Sequence, residues 1–187
     1  ESVLTELVIH NTGNINLNYS LNTAYTNQNK SQNKGISTVS KKQFEKLAVE
    51  EFLKEDYKGS FMSFATITTI NNKPVMEGVV DTTMIYYAGM AASKAEMNKE
   101  AIEYYELAKS YNYPEPDLYI FLRSKYWETG DTAKGVEVLS EGFKKYPEYH
   151  VIVIELINYY LLSGKSQDAL EYLQLAQEKD PKNLSFI

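Results

Sequence analysis

The chain of 187 residues has no cysteine, which rules out a disulfide framework, a thiolate nucleophile and a zinc–thiolate site, and leaves its redox compartment unspecified. Arginine is nearly missing as well. Arg123 stands alone beside eighteen lysines, the formal net charge is -6 and the pI is near 5.1. Phosphate-backbone binding depends on clustered cations, so no nucleic-acid partner is expected. No apolar run approaches the roughly 20 residues of a membrane span, and no membrane insertion is expected. Gly-x-Ser-x-Gly elbows, glycine-rich phosphate loops and His-Glu-x-x-His helices do not occur. The usual devices for activating a nucleophile or cradling phosphate are therefore absent, and neither a catalytic centre nor a cofactor is expected.

The residues that do carry chemistry are few and scattered. His10 and His150 have no histidine or cysteine partner at ligand spacing, and metal sites need several convergent donors, so both read as structural. Glu51 and Glu55 lie one helical turn apart beside Glu50 and Asp56, a spacing open to a cation or to an acid/base pair. Without calcium-loop geometry the better reading is a solvated charged face. Tyrosine is abundant, at 16 residues, and is often doubled, as in Tyr86-Tyr87, Tyr104-Tyr105 and Tyr159-Tyr160. Such pairs suit stacking on bases or sugars, yet Tyr105 and Tyr160 fall on core positions, so most serve packing.

The N-terminal region differs from the rest. Val3, Leu4, Leu7 and Val8 form a short apolar stripe, predicting a helix over residues 1–10. Between Asn11 and Asn29 no residue is charged, and eight asparagines fall between Asn11 and Asn33, a residue type that competes with helical backbone bonding. Ile15, Leu17, Tyr19 and Leu21 alternate with polar residues as a half-buried strand does. Residues 1–40 are therefore read as a short helix followed by a polar loop or extended segment, a mobile linker being the alternative.

Helical periodicity begins near Ser40, and with it a repeat. The small residues Ala101, Gly135 and Ala169 are 34 apart, as are Tyr105, Leu139 and Leu173, and again Ala108, Gly142 and Ala176. The repeats run 82–115, 116–149 and 150–183. Each holds two amphipathic stretches joined by a tight break, with Gly130 then Asp131, and Gly164 then Ser166, supplying stop-and-start chemistry. In the last repeat Val153, Leu156, Ile157 and Tyr160 line one helix, and Leu170, Leu173 and Ala176 the other. Small residues are expected where helices cross at ~8–10 Å, because a larger side chain holds the backbones apart. Pro147 and Pro181 close second helices.

A helix pair of this period, with a small residue, a bulky one four later, a small one three after that and a terminal proline, resembles the tetratricopeptide repeat (TPR) family, of the kind common in bacteria. First-helix anchors agree: Tyr119, Leu122 and Tyr126 in the middle repeat, and Ile85, Ala88, Gly89 and Ala92 in the one before. Arg123 and Ile157 depart, standing where the family usually has glycine or alanine, and Tyr113-Pro114 sets the proline one place late. A degenerate repeat threads through 41–74 on Phe44, Leu47, Ala48, Ser60 and Phe64, followed by an insertion at 75–81. Leu184, Phe186 and Ile187 look like the start of a further helix at 184–187. The resemblance implies an all-α, right-handed superhelix, an α-solenoid of tandem helix-turn-helix repeats over residues 41–187.

It also implies a concave groove lined by first helices, which here would show Tyr86, Met90, Lys94, Ile120, Ser124, Trp127, Val151, Ile154, Asn158 and Leu161. Such an apolar strip is the mark of a contact site. The lysine and asparagine clamp with which some family members hold an acidic C-terminus is missing, since Glu45/Val49, Tyr86/Met90, Ile120/Ser124 and Ile154/Asn158 occupy those places. The expected function is a non-enzymatic scaffold holding a protein partner's peptide or helix. The alternative is a structural module whose groove is covered by residues 11–37 or by further helices, with self-association through the C-terminal end. The family resemblance and the absence of an initiator methionine point to an exported location, in the periplasm or cell envelope, the cytoplasm being the alternative.

Overall fold

A computed structural model describes residues 30–71 and 80–179, with side chains from Ser40 onward and excluding Asn71. The predicted helix over 1–10, the extended reading of 11–29, most of the 75–81 insertion and the 184–187 segment lie outside the described residues. Eight helices, α1 to α8, make up the described chain: Lys30–Leu53, Tyr57–Asn71, Thr82–Lys94, Asn98–Ser110, Asp117–Glu128, Thr132–Lys145, His150–Leu162 and Ser166–Lys179. α1 begins upstream of Ser40, where the loop reading was placed. The stretch KSQNKGISTV carries no apolar stripe and includes Gly35, so helical periodicity offers no sign of its onset.

The chain divides into two compact units, Glu1–Ala95 and Glu96–Ile187. In the first, α1 packs on α2 and α2 on α3. Phe44, Ala48, Phe64, Ile67, Ile70, Ile85, Ala88, Ala91 and Ala92 form its core. Ser60 is buried too and donates to the Ala48 carbonyl at 2.8 Å, which satisfies a hydroxyl that would be costly there unpaired. Asp81 caps α3 by accepting from the Met84 N–H at 3.3 Å and ties it to α1 through Lys41 Nζ at 2.8 Å.

In the second unit successive helices pack α4 on α5, α5 on α6, α6 on α7 and α7 on α8. Ala101, Gly135, Ala169, Ala108, Gly142 and Ala176 are all buried, as expected of crossing points. Gly142 shows why: a Cβ there would sit 2.7 Å from Tyr119 Cγ and 2.9 Å from Ile152 Cδ1, well inside contact distance. Tyr105, Leu118, Leu122, Val138, Leu139, Ile152, Val153 and Leu156 fill the core between them. Leu170, expected in the apolar stripe of α8, is instead 44% exposed.

Helix ends follow the capping rules. Asp131 caps α6 by accepting from the Lys134 N–H at 3.0 Å. Gly130 and Gly164 take positive φ just beyond α5 and α7, and the Asp131 and Lys165 N–H groups close back on the Tyr126 and Tyr160 carbonyls at 2.8 Å. This Schellman closure satisfies carbonyls that the helix leaves without partners. Glu55, Glu96 and Asn112 adopt the same left-handed conformation after α1, α3 and α4 without being glycine.

Candidate functional site

Two further facts about the second unit set the surroundings of the predicted site. The first is a set of five polar ties, each spanning 32 residues: Lys109 to Glu141, Arg123 to Glu155, Ser140 to Tyr172 and Tyr146 to the Pro114 carbonyl join neighbouring repeats, and Tyr149 to Asp117 joins the two ends of the 116–149 repeat. The first four fasten each hairpin to the next. The Tyr149 hydroxyl donates to Asp117 Oδ1, and this bond to a carboxylate is the main reason its phenol titrates above the usual range. Burial, helped by the Glu106 carboxylate that accepts its hydroxyl at 2.9 Å, raises Tyr126 still more strongly.

The second is the environment of Trp127. Its ring lies under the Arg123 guanidinium, 4.5 Å from the charge, and beside Tyr159 at 5.8 Å between centroids. A Cβ on Gly135 would overlap the ring at Nε1 and Cδ1 and approach Arg123 Cγ to 3.3 Å. Gly135 therefore vacates the volume that Trp127 and Arg123 fill. This accounts for an arginine at a place where the family usually has a small residue. Its guanidinium also binds Glu155 at 2.7 Å.

The ten predicted groove residues divide between the two units. In the first, Tyr86 is buried rather than displayed, at 8% exposure; Met90 is half-buried and Lys94 exposed. In the second, Ile120, Ser124 and Trp127 on α5 are half-buried, and Trp127 is held against Gly135, Arg123 and Tyr159 as described. α7 carries the exposed part: Val151 at 43%, Ile154 at 46% and Leu161 at 52%, with exposed Asn158 between them. These four positions advance by three, four and three residues and so share one helical face. The same unit brings α7 alongside α5. Val49 and Leu53, one turn apart on α1, are also exposed. Neither was among the ten predicted groove residues, although Leu53 holds in the degenerate repeat the place that Lys94 holds in the next.

The acidic residues at 50–56 do not converge on a site. Glu51 accepts from the Ser63 hydroxyl at 2.7 Å and burial raises its carboxyl above the usual range, while Glu55 is exposed in its left-handed turn. Among the described residues no group of three or more His, Cys, Asp and Glu is arranged to hold a metal ion, and no helix is long and apolar enough to cross a membrane. His150 opens α7 and is half-buried. His10 lies outside the described residues.

No known family model matches the sequence, and no curated protein sequence matches it. Solved structures do. A crystal structure of MamA aligns with TM-score 0.61 at 18% identity, over 76% of this chain and 79% of that one. A TPR repeats protein, BF2334 from Bacteroides fragilis NCTC 9343, aligns with TM-score 0.60 at 20% identity over 78% of this chain, which spans 65% of that protein, just under two thirds of its length. YrrB, described as a TPR protein with an unusual peptide-binding site, aligns with TM-score 0.56 at 14% identity over 100% of this chain and 96% of its own. At these identities the likeness is one of fold.

Proposed function

We propose that this chain, which has the tetratricopeptide repeat fold, is a non-enzymatic scaffold that holds a peptide or helix of a partner protein against the first-helix face of its second unit. The observation that carries this reading is the apolar stripe Val151, Ile154 and Leu161, each more than two fifths exposed on α7. An amphipathic helix placed on such a stripe removes water from both partners, and apolar anchors at three- and four-residue spacing are what it offers in return. Trp127 on α5 meets Tyr159 on α7, and the Arg123–Glu155 pair fixes α7 relative to α5. YrrB, a neighbour in fold, is by its description a peptide binder, which agrees with this use of the fold.

The test places a photo-crosslinking amino acid at Asn158, which is exposed on the stripe, in the protein within its native cell. A defined partner adduct that is lost on Ile154→Asp, with helix content unchanged, supports the scaffold. Adducts of the chain with itself, or none, would favour the structural-module reading, in which this stripe is covered by packing. The resemblance also supports an exported location, in the periplasm or cell envelope, the cytoplasm being the alternative, and fractionation of the same cells decides between them.

A further inference from the structure

The second helices of the second unit carry a separate feature. Between α6 and α8 lies a cleft of about 580 Å³, within the range that small ligands and anchoring side chains occupy. Its floor is aromatic. Tyr160 and Tyr172 stack with centroids 5.4 Å apart and planes 16° from parallel, and Phe143 meets Tyr172 edge-on at 5.5 Å. Ser140 and the Tyr172 hydroxyl, 3.1 Å apart, set the register of α6 on α8. Burial and the neighbouring Tyr172 and Asp168 push the Tyr160 phenol up to about 12, so that phenol stays uncharged in ordinary buffers.

The rim is charged and polarised. Asp168 lies in the first turn of α8 and Lys179 in its last, about 16 Å apart along the axis at ~1.5 Å per residue. Glu171 stands one turn in from Asp168, and Lys144 lies in the last turn of α6, which the Ser140–Tyr172 register sets toward the Lys179 end. All four line the cleft. None of them is ion-paired among the described residues, whereas Lys109, Arg123, Lys125 and Lys134 of the same unit are each held by a carboxylate. The two cations lie toward one end of an aromatic trough and the two carboxylates toward the other, and they do not pair across it. A ligand of opposite polarity can satisfy both ends at once.

We propose that this cleft is a second recognition site, which takes a peptide segment carrying an aromatic or large aliphatic side chain between a carboxylate and a basic side chain. The anchor rests on Phe143, Tyr160 and Tyr172, the carboxylate turns toward Lys144 and Lys179, and the base turns toward Asp168 and Glu171. The site is independent of the α7 stripe, and either can fail without the other.

The test is a backbone-amide NMR titration of the full chain with four end-blocked pentapeptides: Glu-Ala-Phe-Ala-Lys, Glu-Ala-Phe-Ala-Glu, Lys-Ala-Phe-Ala-Lys and Glu-Ala-Ala-Ala-Lys. In extended form their charged ends lie about 13 Å apart, matching the trough. The first peptide should bind about fivefold more tightly than each of the others at low salt, with shifts centred on Tyr160 and Tyr172. In the Lys144→Glu, Lys179→Glu variant the lysine-flanked peptide should become the best ligand. In Asp168→Lys, Glu171→Lys the glutamate-flanked one should, so that one misfolded variant still leaves a reading. No preference for the dipolar peptide, a preference that neither variant moves, or shifts centred on the Val151–Ile154 stripe would overturn the proposal.

Discussion

Replacing Gly142 by alanine sets two effects of similar size against each other. In a helix interior, alanine is favoured over glycine by about 0.8–1 kcal/mol, because glycine loses more backbone freedom on folding. At this position the added methyl would lie 2.7 Å from Tyr119 Cγ, 2.9 Å from Tyr119 Cβ and 2.9 Å from Ile152 Cδ1. Tyr119 is 4% exposed and Ile152 fully buried, and Tyr119 Cβ moves only with its backbone. The three atoms must retreat by roughly 1 Å to reach ordinary contact, and overpacking of this kind costs about 1–3 kcal/mol or more. The upper part of that range applies because two of the three atoms are close to the main chain. Gly142→Ala is therefore expected to destabilise the second unit by about 1–2 kcal/mol net. For a unit of this size that is a fall in Tm of several degrees, about 4–8 °C per kcal/mol. Circular dichroism melts of the full chain, with urea unfolding as a check, measure it. A Tm that rises by the amount helix propensity alone supplies would mean that α5, α6 and α7 do not meet at Gly142, and the crossing-point argument would fail with it.

Gly135→Ala is the contrasting case: its methyl meets Nε1 and Cδ1 of Trp127, side-chain atoms of a ring that is half-buried rather than enclosed in the core. The stability change should stay within about 1 kcal/mol, while emission from this sole tryptophan shifts to the red and becomes easier to quench; an unaltered spectrum would refute the contact. Asp81→Ala removes both the α3 cap and the tie to Lys41, and should cost the first unit about 1–2 kcal/mol in urea unfolding, with a change below 0.3 kcal/mol counting against it. Tyr119, Tyr126, Tyr149 and Tyr160 all have phenols raised above their ordinary value of 10 in the folded state. The stability they contribute is complete below pH 10 and is lost as the pH climbs through the folded values, which for Tyr160 means toward about 12. Tyr160→Phe should flatten that alkaline decline, and an equally steep decline in the variant would show that this phenol is not responsible.

How much of this was legible in the sequence depends on the physics involved. The hairpins were, because a crossing demands a small side chain wherever it occurs: Gly135 sits against Trp127 of the preceding helix, and Ala101 and Ala169, 34 residues to either side, are buried too. Gly130 and Gly164 announced their turns, but Glu55, Glu96 and Asn112 did not, because nothing in a glutamate or an asparagine states that its backbone will turn left-handed. At the candidate site, exposure was legible in part. Val151, Ile154 and Leu161 stand exposed where family geometry sets them, yet Tyr86 is buried and Trp127 is tucked against Gly135. Period alone assigns a residue to a face but does not say whether a neighbour fills the space above it. The cleft over Tyr160 and Tyr172 was not legible at all: Lys144 and Lys179 are 35 positions apart, and their nearness follows from lateral register, which no local pattern encodes.

Those three turns without glycine have a consequence for how far the chain stands from its own best stability. A non-glycine residue in the left-handed region carries a standing penalty of roughly 1–2 kcal/mol, and Glu55, Glu96 and Asn112 each accept it, asparagine with the least strain. The architecture thus retains unused thermal headroom at three points on its perimeter, reachable by single substitutions that touch neither the α7 stripe nor the aromatic trough. A laboratory seeking a hardier version would begin at Glu55 and Glu96.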